Sequence, residues 1–204
     1  QGKIGIYQAG MDGQQVSVLI KDNLRWPNSL ALDEYTNRLY WCDGHKGSIE
    51  YYDFETTSRH VVFSDHNRQP YSVAVFEDSL YWSDWATNQI EVCNKITGHH
   101  MKPLIMDAKD RFFGLFVYHP EVQAAARKRP LFNPCDLSPC SHLCLLQLGA
   151  THYSCHCPDN MKLSPVNNQT CLSNLVVPPP AIVTSSPIDW TSSTGPPPPG
   201  NVFW

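Results

Sequence analysis

Eight cysteines carry most of the chemistry that this 204-residue sequence offers, and they are unevenly placed. Cys135, Cys140, Cys144, Cys155, Cys157 and Cys171 fall within 37 residues, with 4, 3, 10, 1 and 13 residues between them. Thiols so crowded either oxidise to disulfides or share a metal ion. Zinc is the rival chemistry because His142, His152 and His156 lie among them, but the paired C-x-x-C knuckles of a structural zinc site are missing. A dense, even-numbered cluster is what a small domain uses in an oxidising compartment, since it cannot bury enough apolar surface to fold alone. Six cysteines allow many connectivities, and their spacing alone does not choose one. Asn168-Gln169-Thr170, just ahead of the last cysteine, is an N-glycosylation sequon that gains weight in an oxidised module.

Other reactive constellations are absent. The sequence has no Gly-rich phosphate loop, no G-x-S-x-G elbow, no H-E-x-x-H helix and no nucleophilic cysteine with an accompanying histidine, so the expectation is a non-enzyme without cofactor or metal. A net charge of -4, with 17% charged residues, supplies no basic field for nucleic acid or anionic membrane, which leaves a protein as the expected partner. Arg127-Lys128-Arg129 is too small a patch to change that, and Pro130 behind it hinders cleavage, so the triplet reads as a solvated linker. No apolar run reaches the length of a membrane span, and Gln1 to Tyr7 lack the pattern of a signal peptide; the sequence reads as an excerpt of a longer chain.

The first half must position these groups, and it is repetitive. Leu39-Tyr40-Trp41-Cys42-Asp43 returns 41 residues later as Leu80-Tyr81-Trp82-Ser83-Asp84. A short apolar run precedes each copy, Asn28 to Asp33 and Tyr71 to Phe76, and a third such run, Phe113 to Tyr118, follows. Gly47 to Tyr51 and Asn88 to Val92 match each other downstream of the copies, and Gly2 to Ile6 matches both. Short β-prone segments bounded by Asp, Gly and Asn, repeating at about 40 residues, are the pattern of a propeller blade. Adjacent Tyr and Trp on a strand point to opposite faces, so Tyr40 with Trp41 and Tyr81 with Trp82 pack both sides of a blade. Asp43 and Asp84 then accept hydrogen bonds from the following turn, a structural role rather than a catalytic one.

The order Trp26-Pro27-Asn28-Ser29-Leu30-Ala31-Leu32-Asp33, then Arg38-Leu39-Tyr40-Trp41-Cys42-Asp43, resembles the YWTD repeat of the low-density-lipoprotein-receptor family, and Tyr81-Trp82-Ser83-Asp84-Trp85 resembles a second copy. The third motif position, Cys42 or Ser83, departs from the family's usual Thr. The cysteine cluster resembles an EGF-like module, closest to those of the large receptor-related or megalin-type members. That resemblance implies pairing of Cys135 with Cys144, Cys140 with Cys155 and Cys157 with Cys171. The stretch Leu131 to Pro134 lacks the carboxylates of calcium-binding modules. Cys42 and Cys93 are expected to form a disulfide locking neighbouring blades, in preference to two buried free thiols.

The expected architecture is therefore all-β: an incomplete YWTD-type β-propeller of about three of six blades over residues 1–125, a linker at 126–133, an EGF-like module at 134–172, and a disordered Pro/Ser/Thr-rich tail at 173–204. The resemblance implies an endocytic receptor segment, on the extracellular side of the cell surface or in the endosomal lumen, secreted if the chain ends here. It would bind protein or lipoprotein ligands, contact other modules of the same receptor, and release cargo in acid. His45, His66, His99, His100 and His119, on or near blade loops, are the candidate pH sensors, because imidazole gains charge in that range. The alternatives are a secreted matrix adaptor with a nidogen-like propeller and a Wnt-type co-receptor ectodomain.

Overall fold

The segments around each aromatic couplet pair into antiparallel sheets. The computed structural model describes residues 4–106, 109–120, 133–148 and 152–173. The Arg127-Lys128-Arg129 triplet, most of the 126–133 linker and the tail after Ser173 lie outside the described residues.

A short hairpin, β1 (Ile6–Gln8) with β2 (Ser17–Ile20), comes first. Two complete four-stranded blades follow. The first contains β3 (Pro27–Asp33), β4 (Arg38–Asp43), β5 (Ser48–Asp53) and β6 (Ser58–Ser64), and the second β7 (Pro70–Phe76), β8 (Ser79–Asp84), β9 (Gln89–Asn94) and β10 (Lys102–Ile105). Each sheet keeps its strands in sequence order, as successive hairpins require.

Side-chain alternation sends the two rings of a couplet into different cores. Trp41 packs with Ile6 and Ile20 of the preceding hairpin and Leu24 of the loop after it, whereas Tyr40 packs with Val73, Leu80, Trp82 and Cys93 of the following blade. Tyr40, Trp41 and Trp82 are all fully buried. The couplet thus joins a blade to both neighbours, and the sheets are separate blades rather than one continuous sheet.

The turns are built by one device. Asp33 accepts from the amides of Tyr35 and Thr36, Asp53 from those of Glu55 and Thr56, Asp84 from those of Ala86 and Thr87, and Asn94 from those of Ile96 and Thr97. In each case the next residue, Asn37, Thr57, Asn88 or Gly98, takes a left-handed φ and turns the chain into the returning strand. At Gly47, where φ is +63°, a Cβ would sit 2.0 Å from the Asp65 carbonyl oxygen, so glycine is required there.

Blades are also linked at their first strands. Val73 N donates to Ser29 Oγ at 3.2 Å, and Leu115 N donates to the corresponding Ser72 Oγ at 3.0 Å. The Phe113–Tyr118 run therefore lies where the first strand of another blade belongs. It forms no strand itself, because no ladder partner stands beside it among the described residues.

The expected Cys42–Cys93 disulfide is not formed; both are buried free thiols. They face the same inter-blade core but at different levels. In the repeat Cys42 takes the place of Ser83, whereas Cys93 lies opposite Leu80, three residues further back along β8. At the rise of a strand that is an offset of about 10 Å, outside disulfide reach. Cys42 Sγ instead donates to the Tyr71 carbonyl at 3.1 Å.

The module begins with a 3-10 turn at Pro134–Leu137, followed by β11 (Leu143–Leu146) paired with β12 (Tyr153–His156) and β13 (Met161–Leu163) paired with β14 (Cys171–Ser173). Disulfides join Cys135 to Cys144, Cys140 to Cys155 and Cys157 to Cys171.

Candidate functional site

Because strands alternate in direction, the connecting loops sort to two ends of the blades. Loops 21–26, 44–47, 65–69 and 85–88 gather at the end where Asp43 and Asp84 sit; the turns after Asp33, Asp53 and Asn94 gather at the other.

The Asp43 end is held by buried carboxylates. Asp43 accepts from the amides of Arg25 at 2.6 Å, Trp26 at 3.0 Å and Lys46 at 3.1 Å, fixing an inter-blade loop against a turn of its own blade. Asp84 does the same for Gln69 and Ala86, at 3.2 and 2.8 Å. With its backbone so fixed, Trp26 presents a ring that is 54% exposed, edge-on to His45 at 5.0 Å. Trp26, His45, His66, Arg68 and Gln69 line a shallow depression of about 270 Å3. Beside it Tyr71 stacks on Trp85 at 3.9 Å, Phe113 meets both rings edge-on, and the Arg111 guanidinium lies 5.0 Å over Trp85. Exposed rings with cations above and beside them can bury an apolar side chain and pair a carboxylate, which suits recognition of a protein surface.

Beneath this face two glutamates, 41 residues apart like the couplets, are buried and charge-paired. Glu50 accepts from Lys46 Nζ and Arg59 Nε, both at 2.6 Å, and from Ser48 Oγ at 3.0 Å. Arg59 also donates to the carbonyls of Asp22 and Asn23 and lies 5.1 Å over the Trp41 ring, tying the outer strand to the preceding loop. Burial pushes the Glu50 carboxyl up, but Arg59 and Lys46 outweigh it and hold the group below the usual range. Glu91 pairs with Arg68.

Comparison with known proteins accords with this repeat. Residues 4–34 match the family described as low-density lipoprotein receptor repeat class B. Over 171 residues, 82% of this chain, the sequence is 39% identical to the vitellogenin receptor Yl of Drosophila melanogaster. It is 37% identical over 163 residues, 80% of the chain, to the vitellogenin receptor of Solenopsis invicta. Over 168 residues, 79% of the chain, it is 32% identical to the sortilin-related receptor of Homo sapiens. The chain belongs to the low-density-lipoprotein-receptor family. It spans 8%, 9% and 7% of the lengths of these three relatives.

Within this family framework the five candidate pH sensors separate. His45 and His66 share the depression at the Asp43 end. His99 and His100 sit on the turn between β9 and β10 at the opposite end, and His119 lies 4.8 Å from Phe76, also at that end. The five therefore divide between the two ends, two beside Trp26 and three at the opposite end.

In the EGF-like module, Asn168 is exposed on the loop between β13 and β14, with φ of 53° and its amide donating to the Ser164 carbonyl. Among the described residues no group of three or more His, Cys, Asp or Glu could hold a metal ion. Serine, histidine and aspartate do meet at Ser154, His156 and Asp12. The carboxylate there accepts from the serine hydroxyl rather than from the imidazole, so the groups are not ordered as a catalytic relay. No helix among the described residues is long and apolar enough to cross a membrane.

Sequence reasoning missed the Tyr71–Trp85–Phe113 stack, the paired Glu50 and Glu91, and a buried Asp33–Lys95 pair between blades. Glu50 and Glu91 had a signal: both follow the couplet at the same distance.

Proposed function

We propose that this chain is an extracellular segment of an endocytic receptor whose propeller docks protein or lipoprotein ligands at the Asp43 end and releases them on acidification. The reading assigns no catalytic step to the chain. It treats residues 1–125 as propeller, 126–133 as linker, 134–172 as EGF-like module and 173–204 as tail. It also makes Asn168 a glycan acceptor, read out as a mass loss on peptide-N-glycosidase treatment.

The supporting observation is the contact of exposed Trp26 with His45, beside His66 and Arg68. A protonated imidazole in edge contact with the Trp26 ring puts a strongly hydrated charge at the apolar part of this face, which disfavours burying a ligand side chain there. Vitellogenin, for which both insect relatives are named, is the first ligand to test. Immobilised chain should bind purified vitellogenin at about pH 7.5 and more weakly at about pH 5.5. Trp26→Ala with Trp85→Ala should weaken binding by about tenfold or more. His45→Gln with His66→Gln should flatten the pH dependence, whereas replacing His99, His100 and His119 should not. Equal binding by the tryptophan variant, or an undiminished pH response in the His45/His66 variant, would overturn the reading.

A further inference from the structure

The EGF-like module meets the propeller at the turn between β1 and β2. Met11 N donates to the Leu146 carbonyl at 2.8 Å, and Ser154 Oγ donates to Asp12 Oδ2 at 2.9 Å. On the same face of β12, His156 Nε2 lies 2.9 Å from Ser154 Oγ. A serine hydroxyl has one hydrogen, and here Asp12 receives it. The ring nitrogen facing Ser154 must therefore be a donor, and the three groups form a chain running from imidazole to hydroxyl to carboxylate.

The surroundings leave Asp12 as the charge that this contact turns on. Between Gln8 and Val16 Asp12 is the only ionisable residue. On β11 the residue opposite His156 is Leu143, and from β14 Cys171 Sγ approaches the His156 carbonyl at 3.5 Å. His142, ahead of β11, directs its ring to Ser141 Oγ, and the His152 carbonyl receives the Gln147 amide at the far end of the hairpin. Asp159 and Lys162 lie on the turn and strand that follow β12. The Gln14 amide, opposed by partial burial and helped by Ser154 and His156, holds the Asp12 carboxyl below its usual range.

We propose that Asp12, Ser154 and His156 form an acid-strengthened clamp, holding the module against the β1–β2 hairpin more firmly at mildly acidic pH than at neutral pH. Protonating the other ring nitrogen of His156 leaves its Nε2 hydrogen bond in place and adds a positive charge, so the chain to Asp12 becomes charge-assisted. Both charges coexist only below the range where imidazole gains its proton and above the range where Asp12 loses its charge. The added attraction is thus absent at neutral pH, present in mild acid, and lost once Asp12 is protonated. This holds whether or not the Asp43 end binds ligand.

The Met11 amide reports the contact directly. Its hydrogen-exchange protection, corrected for the intrinsic pH dependence, should rise about threefold in the full chain between about pH 7.5 and about pH 5.5, the size expected of an exposed ion pair. Asp12→Asn and His156→Gln should each show protection independent of pH, the second while retaining a neutral donor. An increase that persists in Asp12→Asn would overturn the clamp. So would wild-type protection that is unchanged or lower in acid, a result that needs no variant to fold.

Discussion

Lys95 Nζ lies 2.7 Å from Asp33 Oδ2 across the seam between the two complete blades, with side-chain exposures of 7% and 4%. Asp33 also accepts from Thr36 Oγ1 at 2.6 Å, so the same carboxylate closes a turn and bolts its blade to the next. Burial pushes its carboxyl up, but Lys95 and Thr36 outweigh it, and the group is held below the ordinary value.

Lys95→Met should therefore destabilise the fold by about 3 kcal/mol at neutral pH, because it leaves a buried carboxylate without its cation. Pairing it with Asp33→Asn should recover most of the loss. The folded-state carboxyl is depressed, so its contribution is present above the ordinary carboxylate value and disappears as pH falls through the lowered one. Urea denaturation followed by tryptophan fluorescence should show the gap between wild type and Lys95→Met narrowing as the pH falls below the ordinary carboxylate range.

Arg59 should tolerate even lysine poorly. Its guanidinium reaches Glu50 and two carbonyls at once while covering the Trp41 ring, a planar pattern that an ammonium does not reproduce. Arg59→Ala should cost about 3 kcal/mol in urea denaturation, and Arg59→Lys should recover only part of it. A lysine variant as stable as wild type would show that charge alone suffices.

Burial pushes both the Cys42 and Cys93 thiols up to about 12, which leaves little thiolate to react. The native chain should resist iodoacetamide at both positions. Unfolding without reductant should release two alkylatable thiols, and peptide mapping should place them at Cys42 and Cys93 while the six module cysteines stay unmodified. Recovering a Cys42–Cys93 peptide would contradict the register that separates them.

The blades were legible because the period of the couplets and the alternation of their side chains are local properties of the chain. The Phe113–Tyr118 run was legible as repeat material but not as a segment without ladder partners among the described residues, since partners are set by pairing and not by composition. The thiol pair was misread for a related reason: which blade a cysteine faces follows from strand order, but its level along the strand depends on register. The histidines were scattered in sequence, and only the alternating strand direction reveals that His45 and His66 share an end while His99, His100 and His119 lie elsewhere. Buried charges such as Glu50 and Asp33 look like ordinary polar positions until the cation reaching them from another strand or blade is seen.

The module's disulfides close over sequence separations of 9, 15 and 14 residues, whereas the Ser154–Asp12 bond joins residues 142 apart. Short loops close before long ones, so oxidation can finish before the module docks on the β1–β2 turn. A chain with a damaged β1–β2 turn would then carry a correctly oxidised but undocked module, passing a thiol-based quality check and failing a geometric one. Its defect would be visible only to a probe that senses how the two parts are held together.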